Sequence, residues 1–177
     1  MLLSLTVHEY AHAISAYWLG DDTAKSLGRM TLNPIAHIDP IGTLLLPAIM
    51  AATSIPLFGW AKPVPVNPLR FRKSIDMRKG MMITAAAGPI SNLILAFIAV
   101  FAFRALQYTQ SSSAFITLAQ AMIFMNVGLA VFNFIPIPPL DGSRVLSGLL
   151  RGEAAQKYEE LARYSSIFLM IFILAGA

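Results

Sequence analysis

Residues 80–103 read GMMITAAAGPISNLILAFIAVFAF, 24 consecutive positions without Asp, Glu, Lys or Arg. A bilayer crossing takes about 20 predominantly apolar residues, so this stretch predicts a membrane-spanning helix, over 81–107. Working outward, residues 105–140 add 36 uncharged positions, residues 40–61 another 22 and residues 164–177 another 14. The whole 177-residue chain is 56% hydrophobic and 12% charged. Soluble domains average about 45–50% apolar and about 25% charged residues. A soluble domain and a disordered chain are therefore both excluded, the second because disorder requires low hydrophobicity and high net charge. The length fits a single membrane-embedded domain over residues 1–177.

The helical pattern continues on both sides. Met1–Gly20 predicts a first helix ending at Gly20, and residues 114–135 predict another, stopped by Pro136, Pro138 and Pro139. Residues 142–163 are polar and amphipathic, and residues 164–177 begin an apolar segment too short to cross unaided. Residues 41–58 are apolar but carry Pro47 and Pro56, which predicts a re-entrant or interfacial hairpin broken at Pro47. Gly28–Leu32 has weak strand character. Lys62–Asn67 is predicted to be extended, because each proline pushes its predecessor out of the helical region. The fold class expected is an all-α multi-pass membrane protein. It has a three-helix catalytic core, a re-entrant or interfacial hairpin and a small extended or β segment.

Charge gives an orientation. Residues 59–79 hold six Lys or Arg against one Asp, whereas the Gln107–Ser113 turn has no charge. The positive-inside rule puts 59–79 and 142–163 in the cytoplasm and that turn outside. The net charge of +4 is accounted for by this rule, so nucleic-acid binding is a poor reading of it. With no Cys there is neither a disulfide framework nor a thiolate metal site.

Two acidic residues fall outside the basic segments. His8-Glu9-Tyr10-Ala11-His12 has the spacing H-E-x-x-H. Residues four apart share a helix face, so His8 and His12 can address one ion, while Glu9 can serve as general base on a water held there. Three ionisable groups on an otherwise apolar helix are costly in lipid, about 2.5–3.5 kcal/mol for a central charge, which favours a functional reading. Zinc suits such ligands and in catalytic sites takes three protein groups. The acidic candidate for the third is Asp141, after the Pro136-Ile-Pro138-Pro139 break; the alternative is that Asp141 merely N-caps the helix starting near Ser143. His37 is expected to make loop hydrogen bonds rather than ligate.

Three motifs in order carry a family resemblance: His8-Glu9-x-x-His12, Gly88-Pro89-x-x-Asn92, and Asn133-x-x-Pro136-x-x-x-Leu140-Asp141-Gly142. Together with Asn33-Pro34, His37-Ile-Asp39-Pro40 and the Trp60–Pro68 stretch, they resemble the short bacterial branch of the site-2 proteases, which are intramembrane zinc metalloproteases. The resemblance implies one zinc ion on His8, His12 and Asp141, Glu9 as the base that activates water, and Asn133 holding the substrate carbonyl or its oxyanion. It implies that Gly88 and Asn92 let the 81–107 helix approach the metal helix closely, and that Lys62–Asn67 is a strand able to pair with an unwound peptide. The two helices should then run antiparallel, with the metal about 12 Å inside the cytoplasmic boundary and a polar channel leading to it. The activity implied is cleavage of a transmembrane protein within or near its membrane span. The partners would be that substrate and the surrounding lipid, with the enzyme in the cell membrane. Family members usually carry more apolar sequence before the motif, which points to truncation at one or both ends. No PDZ or nucleotide-binding module fits in the length. The competing readings are a catalytically silent homologue acting as a membrane chaperone, disfavoured by the intact Glu9, and a transporter, disfavoured by the lack of ionisable groups on the other spans.

Overall fold

A computed structural model describes residues 1–45, 48, 49, 52 and 62–175. Five helices organise it: α1 (Leu2–Leu19), α2 (Met77–Tyr108), α3 (Ser113–Phe134), α4 (Asp141–Leu149) and α5 (Gly152–Ala175). Among the described residues there is no strand. Gly28–Leu32 is a run of turns and bends, and Lys62–Asn67 has no ladder partner, so the expected β segment does not form. Its N–H groups bond elsewhere. Lys62 donates to His37 O at 3.0 Å, Val64 to Glu9 Oε2 at 2.8 Å and Asn67 to Asp21 Oδ2 at 2.6 Å. Pro63 and Pro65 have no N–H to offer a ladder. The predicted hairpin over 41–58, including its break at Pro47, lies largely outside the described residues. Its described beginning, Pro40–Leu45, is a wide helical turn.

Local sequence explains most helix ends. α1 stops at Gly20, which takes the left-handed conformation (φ 114°), and its N–H returns to Tyr17 O at 3.0 Å. α2 begins four residues before the expected start. Asp76 caps it by accepting from Lys79 N at 3.0 Å, and the basic residues that resembled a loop form its first turn. The amphipathic stretch after Asp141 is not one helix. It breaks at Leu150–Arg151, and Gly152 (φ 58°) starts α5, which runs on through the apolar tail.

α2 is the centre of the fold: α1, α3 and α4 all pack on it. The register with α1 is antiparallel, as predicted. Ser4 and His8 face Asn92, and His12 faces Thr84, so α1 ascends as α2 descends. The buried apolar residues are mostly alanines, among them Ala13, Ala16, Ala85, Ala96 and Ala130. Small residues of this kind let membrane helices approach. The large apolar side chains point outward, including Phe97, Phe101, Phe115, Phe124 and Val131. The largest fully buried side chains include His37, Asn92, Asn126, Thr6 and Asp21. Polar groups inside and bulky apolar groups outside invert the soluble pattern. Among the described residues two helices, α2 and α3, are long and apolar enough to cross a membrane.

Candidate metal centre

The antiparallel α1–α2 pair and the start of α4 bring three predicted residues together. His8, His12 and Asp141 offer ligand atoms that all lie within 4.8 Å of one another. His8 Nε2 is 3.0 Å from Asp141 Oδ2, His12 Nε2 is 3.3 Å from the same oxygen, and the two Nε2 atoms are 3.0 Å apart. Bonds of about 2.0–2.1 Å in a tetrahedral site separate ligand atoms by about 3.3 Å. The observed triangle therefore matches one face of such a site.

Proton positions sharpen this. His12 Nδ1 lies 2.7 Å from the Thr84 carbonyl, which can only accept, so the proton is on Nδ1. His8 Nδ1 lies 2.7 Å from Asn92 Oδ1. The orientation of the Asn92 amide is set by its Nδ2, which donates to Ser4 O at 3.1 Å and to Asn126 Oδ1 at 2.9 Å. Asn126 Nδ2 in turn donates to Met122 O at 2.8 Å. The chain of donors runs one way, and it leaves His8 protonated on Nδ1 as well. Both Nε2 atoms therefore present lone pairs, to one another and to a carboxylate oxygen that is buried and has no hydrogen-bond donor. Three converging acceptors without a shared proton repel each other, and a cation between them relieves this. The donor set, two neutral imidazoles with fixed second nitrogens and one carboxylate, fits a first-row divalent metal.

Asp141 is not a capping residue. Leu140 is the N-cap of α4 and no side chain caps that helix. The carboxylate instead turns to the histidines. The following glycine is required by packing: a Cβ on Gly142 would lie 2.2 Å from Phe134 O. Gly88 is required in the same way, with a Cβ reaching 2.5 Å from His12 Nε2 and 2.7 Å from His8 Cε1.

A cavity of about 190 Å³ adjoins the triangle, walled by Glu9, Pro63, Val64, Val66, Asn133 and Arg144 among others. Glu9 is held by the Val64 N–H at 2.8 Å. Asn133 is in the wall, with Nδ2 donating one turn back to Leu129 O at 2.9 Å. His37 is buried but outside the cluster, its Nε2 2.9 Å from Thr31 O. Sequence reasoning missed Thr84, Asn126, Val64 and Arg144. Asn126 carried a signal, a lone amide in an apolar span. Thr84 and Val64 act through backbone atoms and left no trace in the sequence.

Residues 104–174 match the sequence profile described as Peptidase family M50. A Bacillus subtilis protein named "Putative zinc metalloprotease YwhC" is 41% identical over 180 aligned positions, covering 98% of this chain and 78% of that one. The Rip2 proteins of Mycolicibacterium smegmatis and Mycobacterium tuberculosis, named in the same way, are 28% and 29% identical. Those matches cover 99% and 98% of this chain, which spans 65% and 64% of the two Rip2 sequences. No solved structure matches the chain. Identity over nearly the whole chain, on a fold that draws two histidines and an aspartate into one ligand triangle, makes this chain a member of peptidase family M50, the site-2 protease family.

Proposed function

We propose that the chain is a zinc-dependent intramembrane endopeptidase that hydrolyses peptide bonds within or near the transmembrane segments of membrane-protein substrates. The observation that carries this is the convergence of the two Nε2 lone pairs and the donorless Asp141 Oδ2, beside Glu9 in a cavity. His8, His12 and Asp141 would hold the ion, and the relatives' names supply its identity as zinc. Bound there, zinc supplies Lewis-acid activation of water and of the scissile carbonyl.

The remaining chemistry belongs to the chain. Glu9 takes the proton from water and returns one to the departing amine, with the Val64 N–H fixing one carboxylate oxygen and leaving the other available. Asn92 and the Thr84 carbonyl keep the imidazoles in the ligating tautomer. Asn133, in the cavity wall, orients the substrate carbonyl with the N–H that Leu129 does not use. A helical substrate hides its backbone, so it must unwind before a peptide bond reaches the site.

The outward-facing apolar residues of α2 and α3 support a multi-pass placement in the cell membrane. The segments around Arg29 and around Lys62–Arg72 lie together, since Arg29 donates to Lys62 O at 2.7 Å and Arg72 N to Leu19 O at 2.9 Å. The second carries Lys62, Arg70 and Arg72 without an acidic residue, which supports a cytoplasmic opening for the cavity. Because the chain has no Cys, single substitutions Ser26→Cys and Ser111→Cys can be labelled on intact cells with an impermeant maleimide. Labelling of Ser111→Cys alone is expected, and labelling of both or of Ser26→Cys alone refutes the orientation. Activity is tested with purified chain and a transmembrane peptide. Glu9→Gln should retain zinc while turnover falls by about 10²–10⁴-fold. Undiminished cleavage by Glu9→Gln, or after the chain is stripped by a chelator, would refute the mechanism.

A further inference from the structure

A second cavity, of about 400 Å³, takes no part in the chemistry above. It lies between the first turns of α2, one face of α4 and the start of α5, and its walls include Met77, Met81, Pro138, Gly148 and Tyr158. Arg144 lines both this cavity and the smaller one beside the metal ligands, so the two share a wall. Pro138 belongs to the second cavity and Pro139 to the first, so the two are neighbours along the turn before Asp141 as well.

The chemistry of the second cavity is mixed. Methionine side chains are flexible and polarizable and accept apolar groups of varied shape. The two arginines of the lining differ. Arg78 is paired with Glu159, whereas Arg144 is exposed and has neither an ion pair nor a hydrogen bond among the described residues. An unpaired cation thus stands between a metal-ligand cavity and an apolar one. Arg144 follows Asp141 by three residues, so it sits about one helical turn from the ligand. An extended peptide covers that distance and the side-chain reach in about two to four residues, at about 3.3 Å each.

We propose that the second cavity is a substrate subsite, in which Arg144 pairs with an acidic side chain of the substrate about two to four residues from the cleaved bond. A neighbouring apolar side chain of the substrate seats against Met77, Met81 and Pro138. The occupant is the substrate peptide because the cavity lies directly beside the one where its scissile bond would lie, with the Arg144 side chain bordering both. The subsite rests on the endopeptidase reading for its name, and its test separates the two.

The probes are fluorescent synthetic peptides with a Leu/Ala transmembrane segment interrupted by Gly-Pro. Each carries Glu, Gln or Lys at one position two to four residues from the break. Binding is measured to the full chain bearing Glu9→Gln, in phosphatidylcholine nanodiscs. At one position, the Glu peptide should bind about tenfold more tightly than its Lys counterpart, and Arg144→Glu should reverse that order. Met81→Trp, which fills the cavity, should weaken binding of peptides with Leu beside the charge more than of those with Ala. Charge reversal together with no cleavage by the wild-type chain would sustain the subsite and sink the protease reading. Cleavage without charge reversal would overturn the subsite and leave the protease reading intact. Absence of any peptide binding overturns the subsite, and so does an Arg144 effect that appears only when phosphatidylglycerol is added, which would assign the cation to lipid.

Discussion

Replacing Gly88 by Ala adds one methyl group against the metal ligands. In a helix interior the change ordinarily stabilises, by about 1 kcal/mol. Here the new Cβ would stand 2.5 Å from His12 Cε1 and Nε2 and 2.7 Å from His8 Cε1. Ordinary carbon contacts begin near 3.5 Å, so the His12 ring must retreat by about 1 Å. Metal sites tolerate ligand displacements of about 0.2 Å. The rings cannot swing aside freely either, because each Nδ1 is held at 2.7 Å by Asn92 or by the Thr84 carbonyl. The expected result is the loss of one ligand. Losing a partner that only orients a ligand costs about 10–100-fold in metal affinity, and a direct displacement should exceed the upper end, about 2.7 kcal/mol or more. The assay is zinc affinity by competition with a fluorescent chelator, on purified protein in detergent. Gly128→Ala is the control, since a Cβ there meets nothing within 4 Å. Zinc affinity of Gly88→Ala within threefold of the unaltered chain would refute the packing argument and the ligand assignment with it.

Other outcomes follow from the same geometry. Asn92→Leu removes the acceptor that fixes the His8 tautomer and leaves Asn126 Oδ1 without its donor; zinc affinity should drop by about 10–100-fold, read by the same competition assay. Tyr158→Phe removes a hydroxyl that lies 3.0 Å from Pro136 O and 3.3 Å from Ser143 O, on either side of Asp141. It should cost about 1 kcal/mol, seen as a lower denaturation midpoint, and should loosen zinc binding several-fold; unchanged zinc affinity would show that the turn holds its shape without the phenol.

What the sequence disclosed depended on how local the signal was. The spacing of His8, Glu9 and His12 works within a single helix turn, and Gly20 needs only its own backbone, so both were readable from neighbours in the chain. α3 was placed to within a residue because Pro136 ends it in the sequence itself. The start of α2 was missed because Met77-Arg78-Lys79 looks like a solvated loop unless Asp76 is weighed as a cap. Its own surroundings left Asp141 open between ligand and cap, and the family resemblance decided for the ligand; the approach of α4 to α1 across α2 is what turns its carboxylate to the histidines. The β segment was misjudged for the same reason. Prolines correctly exclude helix at Lys62–Asn67, but a strand also needs a neighbouring strand, and the acceptors met there are the His37 carbonyl and the side chains of Glu9 and Asp21.

The backbones of α1 and α4 never come close to each other among the described residues; each leans on α2 from its own side. Among the described residues, the polar side-chain contacts between them are those of two imidazoles with one carboxylate. An ion held there would therefore be a clasp as well as a reagent, tying α1 directly to α4. Stripping the ion should speed hydrogen–deuterium exchange at the start of α4 while the long α2–α3 hairpin stays protected. On this view the enzyme's readiness to act and the closure of its own fold are one event, governed by the supply of metal.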